Sequence, residues 1–512
     1  MKTHVIACPS VAQAALAALA GQRVGLDIET TGLDPLTNRA RLLQVASEDK
    51  LLVIDLDQAG GLGAFCDKLL RLKPVCHNAL FEMAFMRRAG VPLTPDCTML
   101  AHHAMAGQAE SLEGLADRHL GLQLDKSFQK SDWAGELSRE QIEYAATDAR
   151  VALRLWHLLE PALEEQQLGF LYRLQVNAQP AVTEMRLRGM PFNGAQHKAL
   201  IERLEKHYVQ LTGQVASALG RRNPRSGEQV AGWLGETLSA AVLRQWSKTP
   251  GGVLSTRRDT FARMLEQLPP GVATTVTRLL DHKLVAKQLS AFGPNLLRKV
   301  HPATGRIHAD FHLAGPVTGR MSCSNPNLQQ IPRGPDFRVL FQAPPGRRLV
   351  VADYSQVELR VAAMIAGEAG LLAAYRAGRD VHAITAAILL NKRPEDVTKH
   401  ERQLAKAANF GLLYGQGASG LRNYAASNYG VKISLREASQ HRAAWRAAYP
   451  AFPRWHDTSG FLAQQTLMAE TPAGRWRRWR KDQFRTTESY NTPVQGGAAE
   501  AMLAGLSELT RE

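Results

Sequence analysis

Cysteine is scarce in this 512-residue chain: Cys8, Cys66, Cys76, Cys97 and Cys323 are odd in number and form no CxxC pair. That argues against a disulfide scaffold and a structural zinc site, and it fits a reducing cytoplasm. No apolar run reaches the roughly 18 residues of a membrane-crossing helix, so no membrane contact is expected. The Ala-rich stretch Val11–Ala20 is short and lacks signal-peptide flanks, so it reads as a helix of the protein itself. Internal repeats and low-complexity tracts are absent, which leaves ordinary globular domains. The length suggests roughly three of them.

Acidic side chains are in short supply over the last two thirds. The formal net charge is +15. Residues 1–165 carry 16 Lys/Arg against 22 Asp/Glu, whereas residues 166–512 carry 46 against 25. A basic region of that size points to a polyanionic partner. The acidic first part can gather carboxylates around a metal.

The run Val24–Thr30, VGLDIET, alternates apolar Val24, Leu26 and Ile28 with Gly25, Asp27 and Glu29. Period two predicts a strand with Asp27 and Glu29 on one face. Adjacent carboxylates raise each other's pKa unless a cation lies between them, and Mg²⁺ is the natural oxygen-binding choice. Taken alone, the pair also suits a solvated strand face. Downstream, VCHNALFEMAFM starts a helix after His77-Asn78 and places Glu82 near its N-terminal end. In EYAATDARVALRLW, Tyr144 and Asp148 are four residues apart and share a helix face.

In this order the three segments resemble the DEDD-type 3′–5′ exonucleases of the subclass with a tyrosine in the third motif. The resemblance covers residues 24–156. It implies an RNase H-like α/β domain in which Asp27, Glu29, Glu82 and Asp148 hold two divalent metals. Tyr144 would orient the attacking water. The chain departs from the family by carrying Glu82 where an Asp is usual, so the charge is kept on a longer arm.

The stretch RQLAKAANFGLLYG places Arg402, Lys406, Phe410 and Tyr414 four residues apart, on one slanting helical stripe. Two cations and two rings suit the phosphates, base and sugar of a nucleoside triphosphate. A basic amphipathic helix with two core aromatics is the plainer alternative. Leu349–Ala352 predicts an apolar strand ending at Asp353, a metal-ligand position, followed by helical YSQVELRVAAMIAG.

DYSQVELR at 353–360 and R-x₃-K-x₃-F-x₃-YG at 402–415 resemble the first two polymerase motifs of the family A DNA polymerases, the bacterial DNA polymerase I and phage group. Further segments agree in order: NPRSGEQVAGWL at 223–234, TGRMSCSNPNLQQIP at 318–332, DVHAITAAIL at 380–389 and NTPVQGGAAE at 491–500. The resemblance implies an α+β right-hand polymerase, mostly helical, at residues 166–512. Its thumb is expected near 190–300, its palm near 301–369 and 451–512, and its fingers near 370–450. The exonuclease domain is expected at 1–165.

By the same resemblance Asp353 would bind two Mg²⁺ ions, with Mn²⁺ as an alternative, helped by a backbone carbonyl at Val351–Tyr354. Arg402, Lys406 and His382 would grip the triphosphate of the incoming dNTP. Phe410 would pack on the sugar, Glu358 would exclude a ribose 2′-OH, and Tyr414 would lie near the templating base. Arg320, Asn491 and Gln495 would touch the minor groove of primer–template DNA. The basic, aromatic run GRWRRWRKDQFR at 474–485 suits nucleic acid, or equally an exposed hairpin with surface cations.

Nucleotidyl transfer needs a second strand carboxylate. The family's HDE motif is not found downstream of Gln495, and His456-Asp457 lies on the wrong side of that segment. The expectation is a chain truncated before the last palm motif, with its polymerase activity open. The expected function is template-directed DNA synthesis with 3′–5′ proofreading in replication or repair, by a cytoplasmic monomer of bacterial or phage origin. The alternative is a 3′–5′ exonuclease whose polymerase half binds primer–template without completing catalysis. A non-catalytic DNA-binding protein fits less well, because the exonuclease carboxylates are complete.

Overall fold

The computed structural model describes residues 5–129 and 131–510. The last helix among the described residues is Thr486–Glu508; Arg511 and Glu512 lie outside the described residues. The chain packs as two compact units. One comprises residues up to Gly189, His308–Gln329 and Ser459 onward; the other comprises Met190–Ile307 and Gln330–Thr458.

The first unit is built on a six-stranded sheet. Its strands are β1 (Val5–Ile6), β2 (Arg23–Thr30), β3 (Ala40–Ala46), β4 (Leu51–Asp55), β5 (Lys73–Cys76) and β6 (Asp96–Cys97), in the order β1-β4-β3-β2-β5-β6. The antiparallel meander β2-β3-β4 is flanked by parallel pairs β1/β4, β2/β5 and β5/β6. Val24, Leu26 and Ile28 are buried, as the alternation predicts. The long helix Arg139–Glu165 packs across β2, and Gly25 is what allows the approach: a Cβ there would overlap the carbonyl oxygen of Ala149. With only a hydrogen in the way, the helix backbone lies against the strand, and Asp148 comes beside Asp27.

A capping box sets the start of that helix, with Ser138 accepting from the Gln141 N–H and Gln141 accepting from the Ser138 N–H. Helix Gly169–Arg188 closes the core. Its Tyr172 hydroxyl bonds Asp96 at 2.9 Å and accepts from the Cys97 N–H at 2.9 Å, which ties down the β6 edge. The later segments of this unit add helix Thr486–Glu508, packed on Gly169–Arg188, and a hairpin pairing Met468–Glu470 with Trp476–Arg478.

The second unit is helical. Helices Gly194–Ala218 and Pro270–Phe292 pack together, and a small core of Val215, Trp233, Trp246, Phe261 and Val276 sits nearby. Helices Val381–Leu390, Lys399–Leu413, Ala418–Tyr429 and Leu435–Ala448 form a second group. One expectation fails here. Residues 349–352 are not a buried strand; they are irregular, with Val350 90% and Val351 88% exposed. Among the described residues no strand pairs with them, and a lone strand cannot satisfy its backbone or bury its side chains.

No helix among the described residues is long and apolar enough to cross a membrane.

Candidate functional site

Strand pleating puts Asp27 and Glu29 on the same side of β2, as the alternation required. Gln44, directly opposite Asp27 on β3, presents its amide to that side, fully buried and without a hydrogen-bond partner. Glu82 enters from the first turn of helix Leu80–Arg88 and is only 3% exposed. Asp148 comes from the helix that Gly25 lets in. The four carboxylates therefore converge from three elements.

Each carboxylate reports its neighbours. Burial, then the charge of Asp148, pushes Asp27 well above the usual carboxylate range. Burial, then Asp27, does the same to Glu82. Glu29 is pushed up to about 9 by burial and by Asp27 and Asp148. Asp148 is raised to about 6 by burial, against the opposing pull of Lys126. Glu82 Oε2 is buried without a partner.

Among the described residues no three His, Cys, Asp or Glu are already gathered at metal-binding geometry. The donor set nevertheless fits divalent metal: buried carboxylate oxygens that repel one another, and one orphaned lone-pair site on Glu82.

Asp27 and Asp148 line a cleft of about 550 Å³ with His77, Asn78 and Lys126. His77 is held neutral at about 4 by burial and bonds Thr98 Oγ1 at 2.9 Å. Tyr144, one turn before Asp148, lines an adjoining cleft of about 330 Å³ that also contains Asp148. Its ring packs near Phe128 and Trp133, with centroids at 6.0 and 6.3 Å. Burial and then the Asp148 charge raise the phenol above its usual value, so it remains a proton donor at neutral pH.

In the second unit, helix Lys399–Leu413 opens with a capping box between Thr398 and Glu401. Leu404, Ala405, Ala408, Leu412 and Leu413 are buried, while Arg402, Lys406, Phe410 and Tyr414 all remain partly accessible. The stripe is therefore a partly accessible face and not the buried core of an amphipathic helix. Tyr414, the residue that ends the helix, donates to Glu358 Oε2 at 2.6 Å, joining two residues 56 positions apart.

Arg402 is paired with Asp380 at 2.6 Å. His382 departs from the expected third cation. It is 2% exposed, bonds Asn409 Nδ2 at 3.0 Å, and burial with Arg402 nearby lowers it to about 4, so it is neutral. Its ring lies 6.0 Å from that of Phe410. Asp353 and Tyr354 are exposed in the irregular segment before helix Val357–Ala366.

In the first unit, Asn491 and Gln495 are the partly accessible residues in a stretch of helix where Thr492, Pro493, Val494 and Gly496 are buried. The Thr318 carbonyl lies against that stretch, 3.5 Å from where a Cβ on Gly496 would stand. Arg320 is exposed on the same loop. Arg475 is fully buried under this loop, where Gly319 (φ +75°) leaves room for its guanidinium.

Two further basic residues of 474–485, Arg477 and Arg478, make contacts at the hairpin. Arg477 pairs with Glu488 at 2.6 Å, Trp479 Nε1 donates to the same oxygen at 2.7 Å, and Arg478 lies 4.0 Å over Trp476. His456 bonds the Leu413 carbonyl at 2.7 Å, a structural role that accords with setting His456-Asp457 aside.

Sequence reading passed over Gln44, Lys126, Asp380 and Asn409. Only Asp380 left a sequence signal, as an N-cap residue opening the helix that carries His382.

Comparison with known proteins follows the same division. The family profile described as DNA polymerase family A matches residues 195–512, and one described as 3′-5′ exonuclease matches residues 4–164. A DNA polymerase I of Aquifex aeolicus is 32% identical over 504 residues, covering 93% of this chain and 83% of that protein. The DNA polymerase I of Pseudomonas aeruginosa is 33% identical over 474 residues, and there the chain spans about half of the relative, 48%. Among solved structures, the POL domain of Pol1 from M. smegmatis, in complex with DNA primer-template and dNTP, superposes with a TM-score of 0.81 at 23% identity. The match covers 98% of this chain and 88% of that one.

Proposed function

This chain belongs to DNA polymerase family A and carries a 3′-5′ exonuclease domain, and from that premise we propose how its residues divide the work. The function is template-directed DNA synthesis with 3′–5′ exonuclease proofreading. Family A polymerase and exonuclease domains generally use divalent metals.

The exonuclease chemistry is assigned to Asp27, Glu29, Glu82 and Asp148, which would hold two Mg²⁺ ions. Bound there, the metals supply a more acidic water and a stabilised leaving 3′ oxygen. The chain's own groups do the rest. Tyr144, kept protonated, orients the attacking water by hydrogen bond. Lys126, on the cleft wall beside Asp148, attracts the phosphodiester. The longer arm of Glu82 is accommodated because the side chain is buried against Asp27 and does not reach across the cleft.

The nucleotide grip is assigned to the second unit. Arg402 and Lys406 meet the triphosphate of a dNTP, and Asp380 holds Arg402 in position until phosphate replaces it. Phe410 packs on the deoxyribose. Glu358, fixed by Tyr414, fills the space beside C2′, so a ribose hydroxyl meets an occupied acceptor pair. His382, neutral and bonded to Asn409, donates a hydrogen bond and supplies no charge. Asp353 with the Tyr354 carbonyl contributes metal ligands. Arg320, Asn491 and Gln495 track the minor groove of primer–template DNA.

The observation that carries this reading is the Glu358–Tyr414 bond at 2.6 Å at the end of the cationic stripe. It is tested by primer extension with dNTPs and Mg²⁺ beside degradation of the same primer without dNTPs. Both activities are expected. Degradation without extension would favour an exonuclease whose other half only binds primer–template.

A further inference from the structure

A cavity of about 660 Å³ in the first unit lies apart from the carboxylate cleft. It lies between helices Thr98–Ala106 and Leu112–Leu120 and the hairpin that carries Trp476 and Trp479. Its size is that of a small-ligand site. Its walls are unusual for a structural void. Trp476 and Trp479 supply flat apolar surface, and Arg118 and Arg478 are exposed at its edge. Arg478 lies 4.0 Å over Trp476, so a cation covers one face of that ring.

The deciding residue is His102. It lines the cavity, is only 4% exposed, and its Nε2 has no hydrogen-bond partner. A buried, unpaired polar atom costs stability unless something occupies the site. Burial first, and then Arg118, lowers its pKa, so it offers a neutral ring nitrogen. Such a group suits the edge of a base better than a phosphate. Rings for a base face, a neutral nitrogen for its edge and rim cations for the backbone are together the recognition set for an unpaired nucleotide.

Both cavities share walls. Met99 and Leu100 of helix Thr98–Ala106 line the carboxylate cleft, and His102 and Met105 of the same helix line this one. We propose that the cavity receives an unpaired nucleotide of the single strand whose 3′ end occupies the carboxylate cleft. The inference rests on reading that cleft as the 3′-end site.

The test uses the whole chain and a labelled dT8 strand in chelator, with anisotropy as the readout. Trp476→Ala is expected to weaken dT8 binding about tenfold, and Trp476→Phe to retain most of it. Arg118→Ala with Arg478→Ala, both at the surface, is expected to lower the slope of log affinity against log salt by about 1.4. With Mg²⁺ restored, these variants should hydrolyse the single-nucleotide ester thymidine 5′-(p-nitrophenyl phosphate) like the parent, which also controls for folding.

Unchanged dT8 affinity and salt slope in both variants would overturn the proposal, as would dTMP filling the cavity as tightly as dT8. Loss of ester hydrolysis by the parent chain itself would instead strike the reading of the carboxylate cleft.

Discussion

Burial, and then the charge of neighbouring carboxylates, raises Asp27, Glu29 and Glu82 above the ordinary carboxylate range. That has a consequence for stability. Glu29 is raised to about 9 from an ordinary value near 4.5, and Asp27 and Glu82 are raised as well. Groups whose folded pKa lies above the unfolded one stabilise the fold below the unfolded pKa and lose that contribution as pH rises through the folded value. His77 and His103, lowered to about 4 and about 3, act the opposite way, but only below their ordinary pKa near 6.5. Between pH 7 and 9 the carboxylates dominate. Thermal melts in chelator should fall by a few degrees over that window, a divalent cation should restore them, and Asp27→Asn should flatten the fall. A melt that rises with pH in chelator would contradict the cluster.

Glu358 gives a second test at the scale of a residue. Glu358→Ala is expected to raise ribonucleotide incorporation relative to deoxyribonucleotide by roughly tenfold or more in primer extension, by removing the group that meets a 2′-hydroxyl. Equal discrimination by parent and variant would remove Glu358 from that role.

Among the secondary-structure elements, Gly25 is the position where fold and site meet. Its missing side chain sets how closely helix Arg139–Glu165 lies on β2, and so the distance from Asp148 to Asp27. Gly25→Ala must push the helix backbone away. A cost of about 1–3 kcal/mol in denaturant melts is expected, with a loss of 3′–5′ degradation larger than the stability change explains. Full activity with unchanged stability would show that the approach is not needed. On helix Lys399–Leu413, Arg402→Ala should raise the apparent KM for dNTPs roughly tenfold or more, since a charge-assisted contact is worth about 1.5–3 kcal/mol; an unchanged KM would place the triphosphate elsewhere.

The elements also separate what sequence conveys from what it does not. Strand β2 and the Tyr144–Asp148 helix were legible because their patterns are local: alternation in one, a four-residue spacing in the other. The stripe from Arg402 to Tyr414 was legible for the same reason, and it stays accessible on the folded helix. Residues 349–352 were misread because an apolar run becomes a strand only when a neighbour pairs with it, and none does among the described residues. The neutral state of His382 depends on burial and then on the charge of Arg402, 20 residues away, neither of which leaves a local signature. Arg475 looked like one more surface cation in a basic run; only tertiary packing buries it beneath the 318–320 loop.

At the scale of the whole molecule, one chain builds two compact units and passes between them four times, at residues 189/190, 307/308, 329/330 and 458/459. The unit with the carboxylate cleft therefore also holds Arg320, Asn491 and Gln495, while the stripe from Arg402 to Tyr414 lies in the other. Charge follows function: carboxylates are concentrated in the first 165 residues, and the excess of cations lies in the rest. The acidic cluster is proposed to be a hydrolytic centre and not a stability device. Degradation of a labelled single strand with Mg²⁺ by the parent chain and by Asp27→Ala, with strand affinity measured alongside, decides between the two. A hydrolytic centre requires the Asp27→Ala rate to fall by roughly two orders of magnitude or more while affinity is unchanged; degradation at the parent rate by Asp27→Ala would rule it out.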